Sequence, residues 1–167
     1  MNNFVVALVG IKKSPEIYSA LGSGTLVNYK SNNYIVATNH QVNQFGLYSK
    51  IHVYCPNNAV LLEVDTVSQS SRSDLALLKF KDVIDDLDTI SLESVDRDHR
   101  FTFDTEVTVY GFPNPAKRDE KVLGDLLKNL QLTANKHKIL GISYQQDGGD
   151  KSNSHLTINT GVATGYV

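Results

Sequence analysis

Tyr34-Ile35-Val36-Ala37-Thr38-Asn39-His40-Gln41-Val42 is an apolar strand that runs into a histidine. Upstream, Leu21-Gly22-Ser23-Gly24-Thr25-Leu26-Val27 feeds a Gly-x-Gly turn into another apolar strand, and Tyr29-Lys30-Ser31-Asn32-Asn33 supplies the hairpin between the two. Thirty-four residues beyond His40 comes Ser73-Asp74-Leu75-Ala76-Leu77-Leu78-Lys79-Phe80, an aspartate at the mouth of a third apolar strand. A histidine at a strand end is by itself an ordinary turn residue, and so is an aspartate before a strand. Together they suit general-base chemistry. A partly buried carboxylate can accept a hydrogen bond from the imidazole, select its tautomer and stabilise the imidazolium formed when it takes a proton.

Working outward, the first half of the chain divides into short runs of β-branched, aromatic and leucine residues. Strands are predicted at 4–11, 24–29, 34–38, 51–54, 60–67 and 75–80, separated by clusters such as Cys55-Pro56-Asn57-Asn58. Six short strands at this spacing predict a closed antiparallel barrel or a sandwich. Residues 81–102 turn polar and charged, as a surface connector does. A second strand-rich region opens at Glu106–Tyr110 and ends on Gly111-Phe112-Pro113. Strands follow at 139–145 and 156–159, with a loop over 146–154 between them. The leucines of 122–132 suit a helix or two irregular strands. The coarse picture is a mainly all-β chain of two subdomains, 1–85 carrying His40 and Asp74 and 103–167 after it, joined by a connector over 86–102.

The last run, Leu156-Thr157-Ile158-Asn159-Thr160-Gly161-Val162-Ala163-Thr164-Gly165-Tyr166-Val167, leads a short strand into a Gly-x-x-x-Gly turn. With the histidine and aspartate motifs, it makes the chain resemble the chymotrypsin-like serine proteases, most closely the trypsin-like bacterial branch that includes the HtrA proteases. There the motifs read approximately Gly-x-Gly-hydrophobic with Thr-Asn/Ala-x-His-Val, then Asp-Leu-Ala-Leu-Leu-Lys, then Ile-Asn-Pro-Gly-Asn-Ser-Gly-Gly-Pro. The resemblance covers nearly the whole chain. It implies two antiparallel β-barrels, 1–85 and 103–167, with His40 as general base, Asp74 as its orienting partner, and Ala163 at the nucleophile position. The amides of Gly161 and Ala163 would form the oxyanion hole, and Thr157 would sit at the base of the substrate pocket.

The chain also departs from that pattern. Ala163 has no hydroxyl, which costs such a triad on the order of a million-fold in turnover. Thr164-Gly165-Tyr166 stands where Gly-Gly-Pro is usual, and the family's further pair of strands does not follow, so the second barrel is expected to be incomplete. The resemblance therefore implies a serine endopeptidase domain in an inactive, serine-to-alanine form, within a larger polypeptide. The alternative is a natural pseudoprotease that holds an extended peptide by β-augmentation. A third option is a barrel adaptor whose motif matches are accidental, with His40 and Asp74 far apart. Val162, in place of an acidic residue, argues against activation by a newly made N-terminus.

Bulk properties bound these readings. The chain has 167 residues, 41% hydrophobic and 20% charged, with a net charge of −2, so nothing electrostatic calls for nucleic acid. No run approaches the roughly 20 apolar residues of a membrane span. Cys55 is the only cysteine, which favours a reducing, cytoplasmic setting and reads as a small buried hydrophobe. No Cys/His spacing suggests a metal and no glycine-rich loop a nucleotide, so no cofactor is expected. The expected partner is a protein or peptide substrate.

Overall fold

The computed structural model describes residues 4–43, 47–56, 59–82, 84, 87–94, 102, 104–113, 118–144 and 154–158, with 140–144 and 154–158 described by their backbone alone. Six antiparallel strands close on themselves. They are β1 (Val5–Lys13), β2 (Glu16–Tyr29), β3 (Asn32–Thr38), β4 (Lys50–Cys55), β5 (Val60–Ser70) and β6 (Leu75–Phe80), arranged in the order β1-β4-β5-β6-β3-β2 with β2 pairing back to β1. All six predicted strands are present. The missing piece was the first half of β2, Glu16–Ser23, where small residues and glycine hide a strand that β1 covers along its full length.

β1 shows why its sequence lacks the usual alternation. Val6 and Leu8 point into the barrel, where Leu26, Ile35, Val53 and Leu78 surround them. Val5, Ala7 and Val9 point outward, yet they too are buried, against Phe112, Leu126 and Leu130 of the second half. A strand buried on both faces reads as a continuous apolar run. The β2–β3 hairpin turns at Lys30 and Ser31, with φ of 48° and 61°. Two successive positive φ values match the twist of a tight antiparallel hairpin.

The second half forms a three-stranded antiparallel sheet of β8 (Glu106–Gly111), β10 (Thr133–Tyr144) and β11 (Ser154–Ile158), in the order β11-β10-β8. β10 begins six residues earlier than the sequence suggested. Its first half, Thr133–Lys138, is polar because it faces solvent, and Lys136 pairs across to Glu106 at 2.8 Å. The open question at 122–132 resolves as a helix, α2 (Leu123–Asn129), which buries Leu126 fully. Short strands β7 (Ile90–Ser91) and β9 (Asp119–Glu120) both pair with β2.

Polar contacts tie the halves together along β2. The buried Ser23 hydroxyl accepts a hydrogen bond from the Phe112 amide at 2.8 Å. Ala20 exchanges two bonds with Arg118, its amide donating to the Arg118 carbonyl and its carbonyl accepting from the guanidinium, each at 2.9 Å. A buried amide paired this way avoids the penalty of an unsatisfied donor.

On the barrel's outer surface Glu63 bridges Lys50 at 2.7 Å and Lys81 at 2.5 Å. The hydrogen bonds from these two ammonium groups hold its carboxyl down at about 2. A carboxylate depressed in the folded state stabilises it fully above its unfolded pKa, and that contribution is lost as pH falls through the folded value. Acid titration of thermal stability should therefore show a Glu63-dependent decline between about pH 4.5 and pH 2. Glu63→Gln should flatten that part of the profile, and an unchanged profile would show that the bridge contributes nothing.

Candidate active site

β3 and β6 are neighbours in the barrel, and Thr38 pairs directly with Leu75. The residues just past one strand and just before the other must therefore meet. That register brings together two side chains 34 positions apart. The chain leaves β3 into a short helix, α1 (Asn39–Asn43), whose His40 points outward while Asn39, Gln41 and Val42 are buried. Asp74 precedes β6 with φ of 50°, in the left-handed region that aspartate tolerates better than most residues.

Asp74 grips α1 with three groups. Its Oδ2 lies 2.6 Å from His40 Nδ1, its Oδ1 accepts from the His40 amide at 2.9 Å, and its backbone carbonyl accepts from the Asn39 amide at 3.0 Å. A carboxylate at Nδ1 places the proton there and leaves the Nε2 lone pair free to act as a base. Thr38 Oγ1 is 3.4 Å from Nε2, too far for a strong bond. Partial burial pushes the Asp74 carboxyl up, but the hydrogen bonds from the His40 side chain and amide outweigh it and hold the group below its ordinary value. The two side chains are 63% and 49% exposed, so the pair opens to solvent and to anything that docks above it. Asp74 is thus more open than the partly buried carboxylate the sequence suggested.

The other residues singled out in the sequence divide in two. Cys55 faces the barrel interior, and burial raises its thiol to about 11, so it is no nucleophile. Thr157 lies in β11 opposite Gly141, and its side chain is not among those described. Gly161 and Ala163 lie outside the described residues, as do Thr160 and Thr164. Thr38 and Gln41 were not singled out. Both stood inside the histidine motif, and only the folded chain shows that Gln41 is buried against Gly22 of β2.

Neither protein-family models nor curated proteins match the chain. Solved structures do. The Rv3671c protease from M. tuberculosis, in its active form, is 16% identical over 98% of this chain and 62% of its own, with a TM-score of 0.62. A serine-to-alanine mutant of the same protease in an inactive form is 19% identical over 98% of this chain and 66% of its own, at 0.60. The fold is that of the trypsin-like serine proteases. The HtrA-type protease AlgW, in a serine-to-alanine form with a tripeptide, matches at 0.59 with 18% identity, over 93% of this chain and 42% of its own. In this chain the closed barrel is β1–β6, and the second sheet of β8, β10 and β11 comes after it in the sequence. His40 Nδ1 and Asp74 Oδ2 lie 2.6 Å apart, where the adaptor reading expected the two residues far apart.

Proposed function

We propose that the chain is the peptidase portion of a trypsin-like serine endopeptidase, in a form that lacks its nucleophile. The observation that carries this reading is the His40–Asp74 pair, joined through Nδ1 at 2.6 Å just beyond the end of β3 and just before the start of its neighbour β6, and open to solvent. A serine hydroxyl above Nε2 would attack a peptide carbonyl as His40 takes its proton. Asp74 would stabilise the resulting imidazolium, and the same proton would then pass to the leaving amine. The amides of Gly161 and residue 163 are assigned to the developing oxyanion, and alanine keeps its amide. Thr157 is assigned to the floor of the substrate pocket. With Ala163 at the nucleophile position, the chain as it stands should bind peptide without cleaving it.

A second placement of the nucleophile has its own support in the sequence. Laid on Ile-Asn-Pro-Gly-Asn-Ser, the run Val162-Ala163-Thr164-Gly165-Tyr166-Val167 matches the apolar residue with Val162 and the glycine with Gly165. It then sets Val167 at the serine. Neither Ala163 nor Val167 carries a hydroxyl, so the expected inactivity is the same in both registers.

The test is to make Ala163→Ser and Val167→Ser separately and incubate each, and the unchanged chain, with denatured protein. Cleavage by one serine variant and not by the unchanged chain supports the endopeptidase reading and selects the register. If neither folded variant cleaves, while the unchanged chain still retains an extended peptide, the protein is a non-catalytic peptide-binding module instead.

A further inference from the structure

We propose that Gln41 is a positioning residue, whose buried side chain reaches across to Gly22, seats α1 on β2 and so fixes the His40 imidazole against Asp74. The inference rests on the peptidase reading of His40. α1 is only five residues long, too short to hold its own direction. From one side Asp74 grips it through the Asn39 and His40 amides. From the other, Val42 anchors it in the barrel core, and Gln41 lies against Gly22.

The Gln41–Gly22 contact is unusually close. A Cβ built on Gly22 would run into Gln41 Nε2 and Cδ, so a side chain at position 22 would have to displace the amide. Gly22 has φ of +144°, which L side chains rarely adopt. It sits where β2 slips against β1: Leu8 faces Gly22 and Val9 faces Ala20, leaving Leu21 as an extra residue. Such a bulge bends the strand and re-aims what packs on it. The first glycine of the Gly-x-Gly motif, which lies within β2 at this bulge and not in the turn the sequence suggested, is thus accounted for by the side chain that follows the histidine. The second has a different reason, since a Cβ on Gly24 would meet Ile35 Cγ2 at 2.6 Å.

Gln41 is 5% exposed, and its Oε1 is buried with no hydrogen-bond partner among the described residues. An unpaired buried amide oxygen costs stability. That cost is borne by a side chain whose reach carries α1 onto β2 at Gly22, and its length is what the position uses.

The test is made on the chain without a nucleophile, so its outcome does not depend on whether the restored enzyme cleaves peptides. The readouts are the downfield proton resonance of the His40–Asp74 hydrogen bond and the carboxyl titration of Asp74, both by NMR. Gln41→Ala should abolish or shift the resonance and let the Asp74 titration rise toward the ordinary carboxylate range. Gln41→Met keeps the length of the side chain and should leave both signals as they are. If Gln41→Ala does not fold, Gln41→Asn, one methylene shorter, is read in the same way. A folded Gln41→Ala or Gln41→Asn protein with both signals unchanged would overturn the proposal. So would their loss in folded Gln41→Met.

Discussion

In a chain whose nucleophile serine has been restored, His40→Ala should lower the rate of peptide hydrolysis by about a million-fold, close to the loss from lacking the serine itself. The two losses should not add, because base and nucleophile act as one unit. Asp74→Asn should cost less, about ten-thousand-fold. Asparagine tolerates the left-handed backbone at this position as aspartate does, so the substitution removes the charge without a new backbone strain. What it changes is the partner at His40 Nδ1, now a neutral amide that no longer holds the tautomer. The ionised form of Asp74 persists below the usual carboxylate range. The contribution of the pair to stability is therefore full above the ordinary aspartate pKa and is lost as pH falls through the depressed value. Single-turnover rates of the two variants and their serine-restored parent check the order. Equal rates for His40→Ala and the parent would remove His40 from the chemistry.

Leu8→Ala should destabilise the chain by about 2–5 kcal/mol, a fall in Tm of roughly 4–20 °C for a chain of this length. Leu8 is fully buried at the centre of β1, the strand through which the barrel closes. Its neighbours come from strands on both sides of that closure, so the cavity has few ways to collapse. By contrast Val67→Ala, at a side chain 53% exposed on β5, should stay within about 0.5 kcal/mol. Denaturant unfolding of both variants checks the contrast. A Leu8→Ala loss no larger than that of Val67→Ala would mean that β1 does not close the barrel.

How much of this could be read in the sequence depended on what each residue answers to. The six barrel strands were legible because burial against one core imposes local apolar runs, and the turn residues between them mark the ends. His40 and Asp74 were legible as a pair because β3 and β6 are adjacent, so a spacing along the chain becomes a distance in space. The first half of β2 was hidden because its partners are β1 and β9, with Phe112 and Arg118 also bonded to it, and small residues serve that crowded junction better than a β-branched run does. Thr133–Lys138 was hidden for the opposite reason, since its polar residues face water and pair with β8. The role of Gln41 follows from a backbone twist at Gly22, which no property of glutamine announces. The turn at 159–167 rests on motif alone, and there two registers compete.

The central claim is that His40 and Asp74 form the base of a catalytic site missing only its hydroxyl. Its most direct test is reaction of the Ala163→Ser and Val167→Ser proteins with a fluorophosphonate probe, with His40→Ala introduced in parallel and the adduct mapped by peptide mass spectrometry. The account predicts a stoichiometric adduct on the new serine in one of the two proteins, abolished by His40→Ala. No adduct in either folded protein, or an adduct that forms as fast without His40, would contradict it.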